Sequence, residues 1–289
     1  MQRLLYYIIY PFFWLSSLAP MWWLYFKSDI LFFFVYHVIG YRKKVVINNL
    51  KLVFPQKSTS EINAISKKFF AHFCDIIAET IKSITISEKE IRKRFNVTNI
   101  EHLKPYYDAN KSILLMAGHY ANWEWSGILN RMMDHQAHAV YKPLRNKQMD
   151  AVVKKIRQRF GGVIVSNKLV VPMLYRKKKK DVKTLTYILS DQSPKDGHYK
   201  HRDTFMNIDV PMFTGAEDLA KKLDFAVLYL HVEKVKRGYY AVTFKTIAEH
   251  ANTMNDFEIT RKFYNLLESQ IKEVPHLYLW SHKRWKLRI

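Results

Sequence analysis

Ile113-Leu114-Leu115-Met116-Ala117-Gly118-His119-Tyr120-Ala121-Asn122-Trp123-Glu124-Trp125 is the stretch on which the fold turns. Its first four residues are large and apolar without a polar break, which predicts a short buried strand. Gly118 then supplies a turn, and the residues from Asn122 onward start a helix. His119 is thereby placed at a strand's exit, with a carboxylate, Glu124, a few residues downstream.

That spacing has a mechanical meaning. On an unbroken helix, positions i and i+5 lie roughly 140° apart and do not face each other. With His119 on the loop and Glu124 in the first helical turn, the carboxylate can point back at the imidazole. A carboxylate on one ring nitrogen fixes the tautomer and raises the basicity of the other, which then takes a proton from an alcohol. Such a pair suits acyl or phosphoryl transfer. The same residues also fit a simpler reading, a turn histidine followed by a first-turn acid favoured by the helix dipole.

Outward from this unit the chain alternates. Strand-like apolar runs at 112–117, 137–141, 163–165, 184–189, 225–232 and 239–247 are separated by helical patterns at 122–135, 147–160, 216–223 and 256–273. Ser58-Thr59-Ser60-Glu61 and Ser87-Glu88-Lys89-Glu90 both have the form of a capping box. They predict helices over about 60–83 and over a shorter stretch after 87. The class is therefore α/β. No internal repeat is present, and the basic run at 176–180 is expected to be a solvated loop, lying on an anionic surface if one is near.

Composition narrows the function. At 289 residues the chain can form one full core, with one or two domains. Its 47 Lys and Arg against 25 Asp and Glu give a formal charge of +22, and the pI is about 9.8. Such a field attracts polyanions: nucleic acid, anionic lipid head groups or an acidic protein. The single cysteine, Cys74, sits among Phe70, Phe73, Ile76 and Ile77 and reads as a small core hydrophobe. It excludes a disulfide framework and a multi-cysteine metal site. Zinc-protease, P-loop and dinucleotide motifs are all missing, so a metalloprotease, P-loop or dinucleotide reading has no support.

The N-terminal region is of another kind. Residues 4–26 carry no charge and are crowded with Leu, Ile, Phe, Tyr and Trp, and a second uncharged run covers 30–41. A bilayer core needs roughly 20 such residues, and no small-residue cleavage site is evident, so residues 1–41 are expected to be an uncleaved membrane anchor. Arg42, Lys43, Lys44 and Lys51 follow it against Arg3 before it, which places the domain at 42–289 on the cytoplasmic side. Pro11 and Pro20, with the Tyr and Trp content, leave an interfacial or re-entrant segment open beside a true span.

Further motifs fall in a distinctive order: Arg42-Lys43-Lys44, Asn48-Asn49-Leu50 and Phe54-Pro55; Tyr141-Lys142-Pro143-Leu144-Arg145-Asn146; Arg157-Gln158-Arg159-Phe160-Gly161; Asp191-Gln192-Ser193-Pro194; Phe213-Thr214-Gly215; and Tyr278-Leu279-Trp280-Ser281-His282-Lys283-Arg284-Trp285-Lys286. Together with His119 and Glu124, this set resembles the bacterial lipid A biosynthesis acyltransferases, the late lauroyl and myristoyl transferases of the wider lysophospholipid acyltransferase superfamily. The resemblance runs from about residue 41 to 286. It implies a glycerol-3-phosphate acyltransferase-like mixed sheet flanked by helices, working at the inner membrane. In activity it implies an O-acyltransferase that needs no cofactor and moves a fatty acyl group from a thioester, on acyl carrier protein or coenzyme A, to a hydroxyl of an anionic glycolipid.

By the same resemblance His119 is the general base and Glu124 the carboxylate that orients it. Arg159, Arg157, Arg145, Asp191, Gln192 and Asn122 are implied on the substrate side, Arg159 as the arginine of an R-x-G pattern and Asn122 as oxyanion donor or helix cap. Lys142 stands where many members have Arg and keeps the charge without the bidentate fork. Trp280, His282, Arg284 and Trp285 suit a membrane interface as well as a closing core edge. Two other readings stay open: an acyltransferase for another acceptor, such as an aminolipid, lysophospholipid or pigment precursor, and a non-enzymatic membrane-tethered binder of lipid or nucleic acid. No base-reading motif favours nucleic acid as a partner.

Overall fold

A computed structural model describes residues 2–133, 135–144 and 146–289, with side chains from residue 10 onward. Arg145 lies outside the described residues. The described residues form nine strands: β1 (Phe95–Val97), β2 (Ile113–Ala117), β3 (Gln136–Tyr141), β4 (Val163–Ser166), β5 (Thr184–Leu189), β6 (Arg202–Phe205), β7 (Ile208–Pro211), β8 (Ala226–Lys236) and β9 (Tyr239–Ala248). Seven of them form one mixed sheet in the order β1-β9-β8-β2-β5-β3-β4, and β6 and β7 make a separate hairpin. All neighbours in the large sheet are parallel except β8 and β9.

β2 is the central strand, and its five residues are all buried. That explains its unbroken apolar run, because a strand covered on both faces by helices has no polar side to alternate with. Helices Lys147–Gln158, Val170–Lys179, Gly215–Leu223 and Glu258–Glu273 flank the sheet. At the N-terminal side come α1 (Gln2–Leu18), α2 (Met21–Phe33), a wider π-helical turn Phe34–Ile39, α3 (Lys43–Val53) and α4 (Thr59–Lys82). Ser58 caps α4 through the expected capping box, its hydroxyl accepting from the Glu61 amide while the Glu61 carboxylate accepts from the Ser58 amide. Ser87 caps the short helix Glu88–Arg94 in the same way, but Glu90 turns to Arg94 instead of closing the box.

Three expectations need correction. Residues 122–135 do not form an α-helix; the segment winds as a 3-10 helix, Glu124–Arg131. The basic run at 176–180 is not a loop but mostly the last turn of Val170–Lys179. Val170 and Leu174 are buried on one side of that helix, and four cationic side chains complement the dipole at its C-terminus. The N-terminal apolar region is broken at Ala19 and Pro20 into helices of 17 and 13 residues. Among the described residues no helix is long and apolar enough to cross a membrane. Pro20 has no amide hydrogen and its φ is fixed, so it can begin α2 but cannot continue α1.

Candidate active site

β2 and β5 lie side by side in parallel with Ala117 opposite Leu189. Two residues beyond those partners, on adjacent strand exits, come His119 and Asp191. The register alone therefore brings them together at the carboxyl edge of the sheet, where open α/β sheets place their ligands. His119 Nδ1 is 2.6 Å from Asp191 Oδ1, and the His119 backbone N–H donates to Asp191 Oδ2 at 3.1 Å. One carboxylate thus holds both ring and backbone.

Asp191 is almost completely buried. Burial alone pushes its carboxyl up, but the neighbouring His119 charge and the hydrogen bonds from His119 outweigh it, and the group stays below the usual carboxylate range. An ionised Asp191 accepts the proton on Nδ1 and makes Nε2 the acceptor nitrogen. Nε2 faces the exposed Gln192, whose amide nitrogen donates to it from 3.3 Å.

Glu124 is elsewhere. Its two oxygens receive the Arg157 guanidinium as a fork, Nε at 2.9 Å and Nη2 at 2.5 Å, and the Trp123 indole N–H donates at 3.1 Å. Burial pushes its carboxyl up, and Arg157 more than offsets this, holding it below the ordinary value. The structure therefore places Asp191, rather than Glu124, on His119 Nδ1. The tighter winding after Asn122, together with a guanidinium reaching across from helix Lys147–Gln158, turns Glu124 away from the imidazole nitrogen.

Beside this pair lies an apolar cavity lined by Trp123, Leu129, Val140, Leu185, Tyr187 and Leu189, with Glu124 and Arg157 in its wall. Trp123 meets the His119 ring edge-to-face at 5.3 Å between centroids and so separates the imidazole from the cavity by one side chain.

The sequence matches the family described as bacterial lipid A biosynthesis acyltransferase over residues 1–287. The chain belongs to that family. It is 27% identical to the lipid A biosynthesis lauroyltransferase of Escherichia coli (strain K12), over 86% of this chain and 80% of the relative. It is 22% identical to the lipid A biosynthesis palmitoleoyltransferase of the same organism, over 86% and 79% respectively, and equally similar to a lipid A biosynthesis acyltransferase of Shigella flexneri.

In this member of the lipid A acyltransferase family the loop bearing His119 is held from every side. The C-terminal tail grips its backbone: the Ala121 N–H donates to Leu277 O and the Leu279 N–H to His119 O, both at 3.0 Å. The Tyr120 hydroxyl reaches Gln270 O and Val274 O. A side chain at Gly118 would collide with Leu267, whose nearest carbon would be 2.6 Å from an added Cβ. Ala121 adopts a left-handed φ of 50°, which a non-glycine residue keeps only where its surroundings dictate it.

Other expected site residues fall in different places. Asn122 is fully buried and has both ends engaged, Oδ1 accepting from the Trp125 amide and Nδ2 donating to Glu79, so it acts as a cap and no end is left for substrate. Arg159 donates to Ser83 O and Ile84 O just beyond the end of α4, and that contact uses Nη1 as a helix-end clasp. Trp280, Arg284 and Trp285 are fully buried, so the tail is a core edge here rather than a membrane face. His282 feels the charges of Asp191 and His119, and burial lowers it to about 4, which keeps it neutral.

One residue and one pairing were missed in the sequence. Glu79 lies on the buried stripe Ile62, Ser66, Phe69, Ile76 of α4, and a carboxylate at a core position of an amphipathic helix was the available signal. The pairing of Asp191 with His119 depends on strand register, which no local pattern contains.

Proposed function

We propose that this chain is a membrane-associated O-acyltransferase. It moves a fatty acyl group from an acyl thioester, carried on acyl carrier protein or coenzyme A, to a hydroxyl of a lipid A precursor or related anionic glycolipid. The observation that carries this reading is the contact of His119 Nδ1 with the buried, ionised Asp191, which leaves Nε2 as the acceptor nitrogen, beside Gln192 and a largely apolar cavity wall. Family membership supports the reaction class.

The acceptor hydroxyl gives its proton to Nε2 as its oxygen bonds to the thioester carbonyl carbon, and the carbonyl electrons move onto oxygen. Collapse of that intermediate breaks the carbon–sulfur bond, and the departing thiolate takes the proton back from the imidazolium. One ester forms, one thioester is lost and one thiol is released. Asp191 stabilises the transient imidazolium without itself being protonated. The Gln192 amide, on the same side of the ring, is placed to donate to the developing oxyanion. Glu124 and Arg157 form a neutralised polar wall to the cavity in this scheme.

The N-terminal helices support seating on the cytoplasmic leaflet. Phe12, Leu15, Trp22, Phe26, Phe33 and Ile39 are exposed, a run of apolar and aromatic surface of the kind that lies in a lipid interface. Arg42, Lys43 and Lys44 follow at the position where anionic head groups would be met. The test is transfer of labelled acyl groups from acyl carrier protein, and in parallel from coenzyme A, to a lipid A precursor in detergent, with aminolipid and lysophospholipid acceptors beside it. Label in the glycolipid that depends on His119 is expected. No transfer to any acceptor, with tight salt-dependent polynucleotide binding instead, overturns the enzyme reading.

A further inference from the structure

Glu79 is the least expected titratable side chain in the molecule. It is fully buried in α4 and has no ion-pair partner among the described residues. Instead it collects three side-chain hydrogen bonds from three distant parts of the chain. The Tyr25 hydroxyl of α2 donates to Oε1 at 2.9 Å, and the Asn122 amide and the Tyr240 hydroxyl of β9 donate to Oε2 at 2.6 and 2.9 Å. Its backbone carbonyl also takes the Trp125 indole at 3.3 Å. A buried carboxylate without a cation is costly, and a glutamine of the same size would satisfy much of this network at lower cost. Stability alone therefore does not account for it.

The two ends of the network differ in kind. On one side Asn122, held by Glu79 through Nδ2, presents Oδ1 to the Trp125 amide and so sets where the loop from Gly118 enters the 3-10 helix. On the other side stands α2. Trp22, Trp23 and Phe26 on its outer side are exposed aromatics, and Met21, Leu24 and Ser28 are its buried residues. Beside that apolar packing, polar contacts tie it to α4: Tyr25 to Glu79, Ser28 to Asp75 at 2.9 Å, and the exposed Asp29 to Asp75 through a shared Arg237. Those contacts have direction and length, so a shift of α2 is transmitted through them to the carboxylates of α4.

We propose that Glu79 is a positioning residue for His119, and that it links the seating of the N-terminal helices on a lipid surface to the geometry of the loop at 118–124. It touches neither substrate nor the reacting atoms; it acts through Asn122 on one side and Tyr25 on the other. This deepens the membrane-acyltransferase reading, on which its functional meaning rests.

The decisive experiment reads the loop directly and needs no turnover. Hydrogen–deuterium exchange across 118–125 is measured in the full chain with and without vesicles of phosphatidylethanolamine and phosphatidylglycerol, for wild type, Glu79→Gln and Tyr25→Phe. Tyr25→Phe removes a single hydroxyl and guards against a Glu79 variant that fails to fold. Vesicles are expected to slow exchange in the wild-type loop and to leave it unchanged in both variants, although all three proteins bind vesicles equally. A wild-type loop indifferent to vesicles, or variants that respond as the wild type does, overturns the proposal. With acyl transfer established, kcat should fall roughly tenfold in Glu79→Gln, the weight of one charge-assisted hydrogen bond. KM for the donor should be unchanged, and the kcat effects of Tyr25→Phe and Asn122→Ser should be non-additive only while Glu79 is present. Absence of transfer by the wild type defeats the catalytic reading and leaves the exchange result standing.

Discussion

The carboxyl edge of the sheet and the N-terminal helices solve opposite problems. At the sheet edge, polar groups are withdrawn from water and each is held by a specific partner: Asp191 by His119, Glu124 by Arg157, Asn122 by Glu79. Among the described side chains of α1 and α2, Phe12, Leu15, Trp22 and Phe26 are left outside, although Met21 and Leu24 are buried, and Tyr25 and Ser28 make polar contacts to α4. The difference teaches where each region finds its stability. Interlocked hydrogen bonds at the sheet edge give a fixed geometry in a low-dielectric site, whereas the helices keep a large apolar and aromatic surface exposed.

The sharpest way to break this contrast is to attack the sheet edge. His119→Ala should reduce kcat by roughly 10²-fold or more with little loss of Tm, as expected for a missing general base. Asp191→Asn should be of similar severity, because the amide no longer holds Nδ1–H as the donor. Glu124→Gln should divide its effect differently. With Arg157 left partly buried and unpaired, stability should fall by roughly 2–4 kcal/mol, while kcat in the folded fraction changes less than tenfold. Steady-state rates beside calorimetric melts separate the two, and a Glu124→Gln loss in kcat exceeding that of Asp191→Asn would return the orienting role to Glu124.

On the other side of the comparison, replacing Trp22, Trp23 and Phe26 together by Ser should weaken partition onto anionic vesicles by roughly 10²-fold, given about 1 kcal/mol of transfer for each partly buried aromatic. Tm in detergent-free buffer should hold steady or rise. Unchanged vesicle sedimentation would mean that the exposed aromatics face something other than lipid.

Two buried carboxylates sharpen the contrast in pH. Asp191 is held below its unfolded value, so its contribution is present at neutral pH and is lost as pH falls below about 4. Glu79 is raised by burial to about 7, from an ordinary 4.5. Between those values the folded chain holds a proton that the unfolded chain has released, so this group makes stability fall as pH rises toward 7, by roughly 2–3 kcal/mol in all. Buried His72 and the half-buried His276 and His282, all lowered by loss of solvent, tilt the acid side the other way. The expected observable is therefore a difference: urea midpoints of Glu79→Gln minus wild type should rise with pH from 5 to 7.5 and then level off. A flat difference would show that Glu79 is already ionised at pH 5. The smallest effect belongs to Arg159→Lys, which loses one planar clasp on Ser83 O and Ile84 O. About 1 kcal/mol, or a fall of roughly 2 °C in Tm, is expected with kcat/KM unchanged.

Much of the sheet could be read in the sequence because its central strands are buried on two faces: 113–117 and the start of β8 are apolar throughout, and 184–189 is apolar apart from the β-branched Thr184 and Thr186. β1, β6 and β7 have three or four residues each and too little pattern to register. α3 had its signal, with Val46, Asn49, Leu50 and Val53 spaced for one buried face, but the basic cluster and paired asparagines around it drew attention to charge. Within the site, His119 announced itself by its place at a strand exit, and Asp191 by its place at another. Their pairing could not be read, since contact between segments 72 residues apart is set by register, and the nearer carboxylate in sequence, Glu124, was the natural but displaced choice.

The grip of residues 277 and 279 on residues 119 and 121 also orders events in time. During synthesis the apolar helices leave the ribosome before any of the sheet, and the segment that clasps the histidine loop is made after all nine strands. Domains generally form from their N-terminal side as the chain emerges. The loop bearing His119 on a nascent chain therefore stays unclamped until residues 277 and 279 have been made and can pair with 121 and 119. The order of translation makes the geometry around His119 the last part of the sheet edge to be completed.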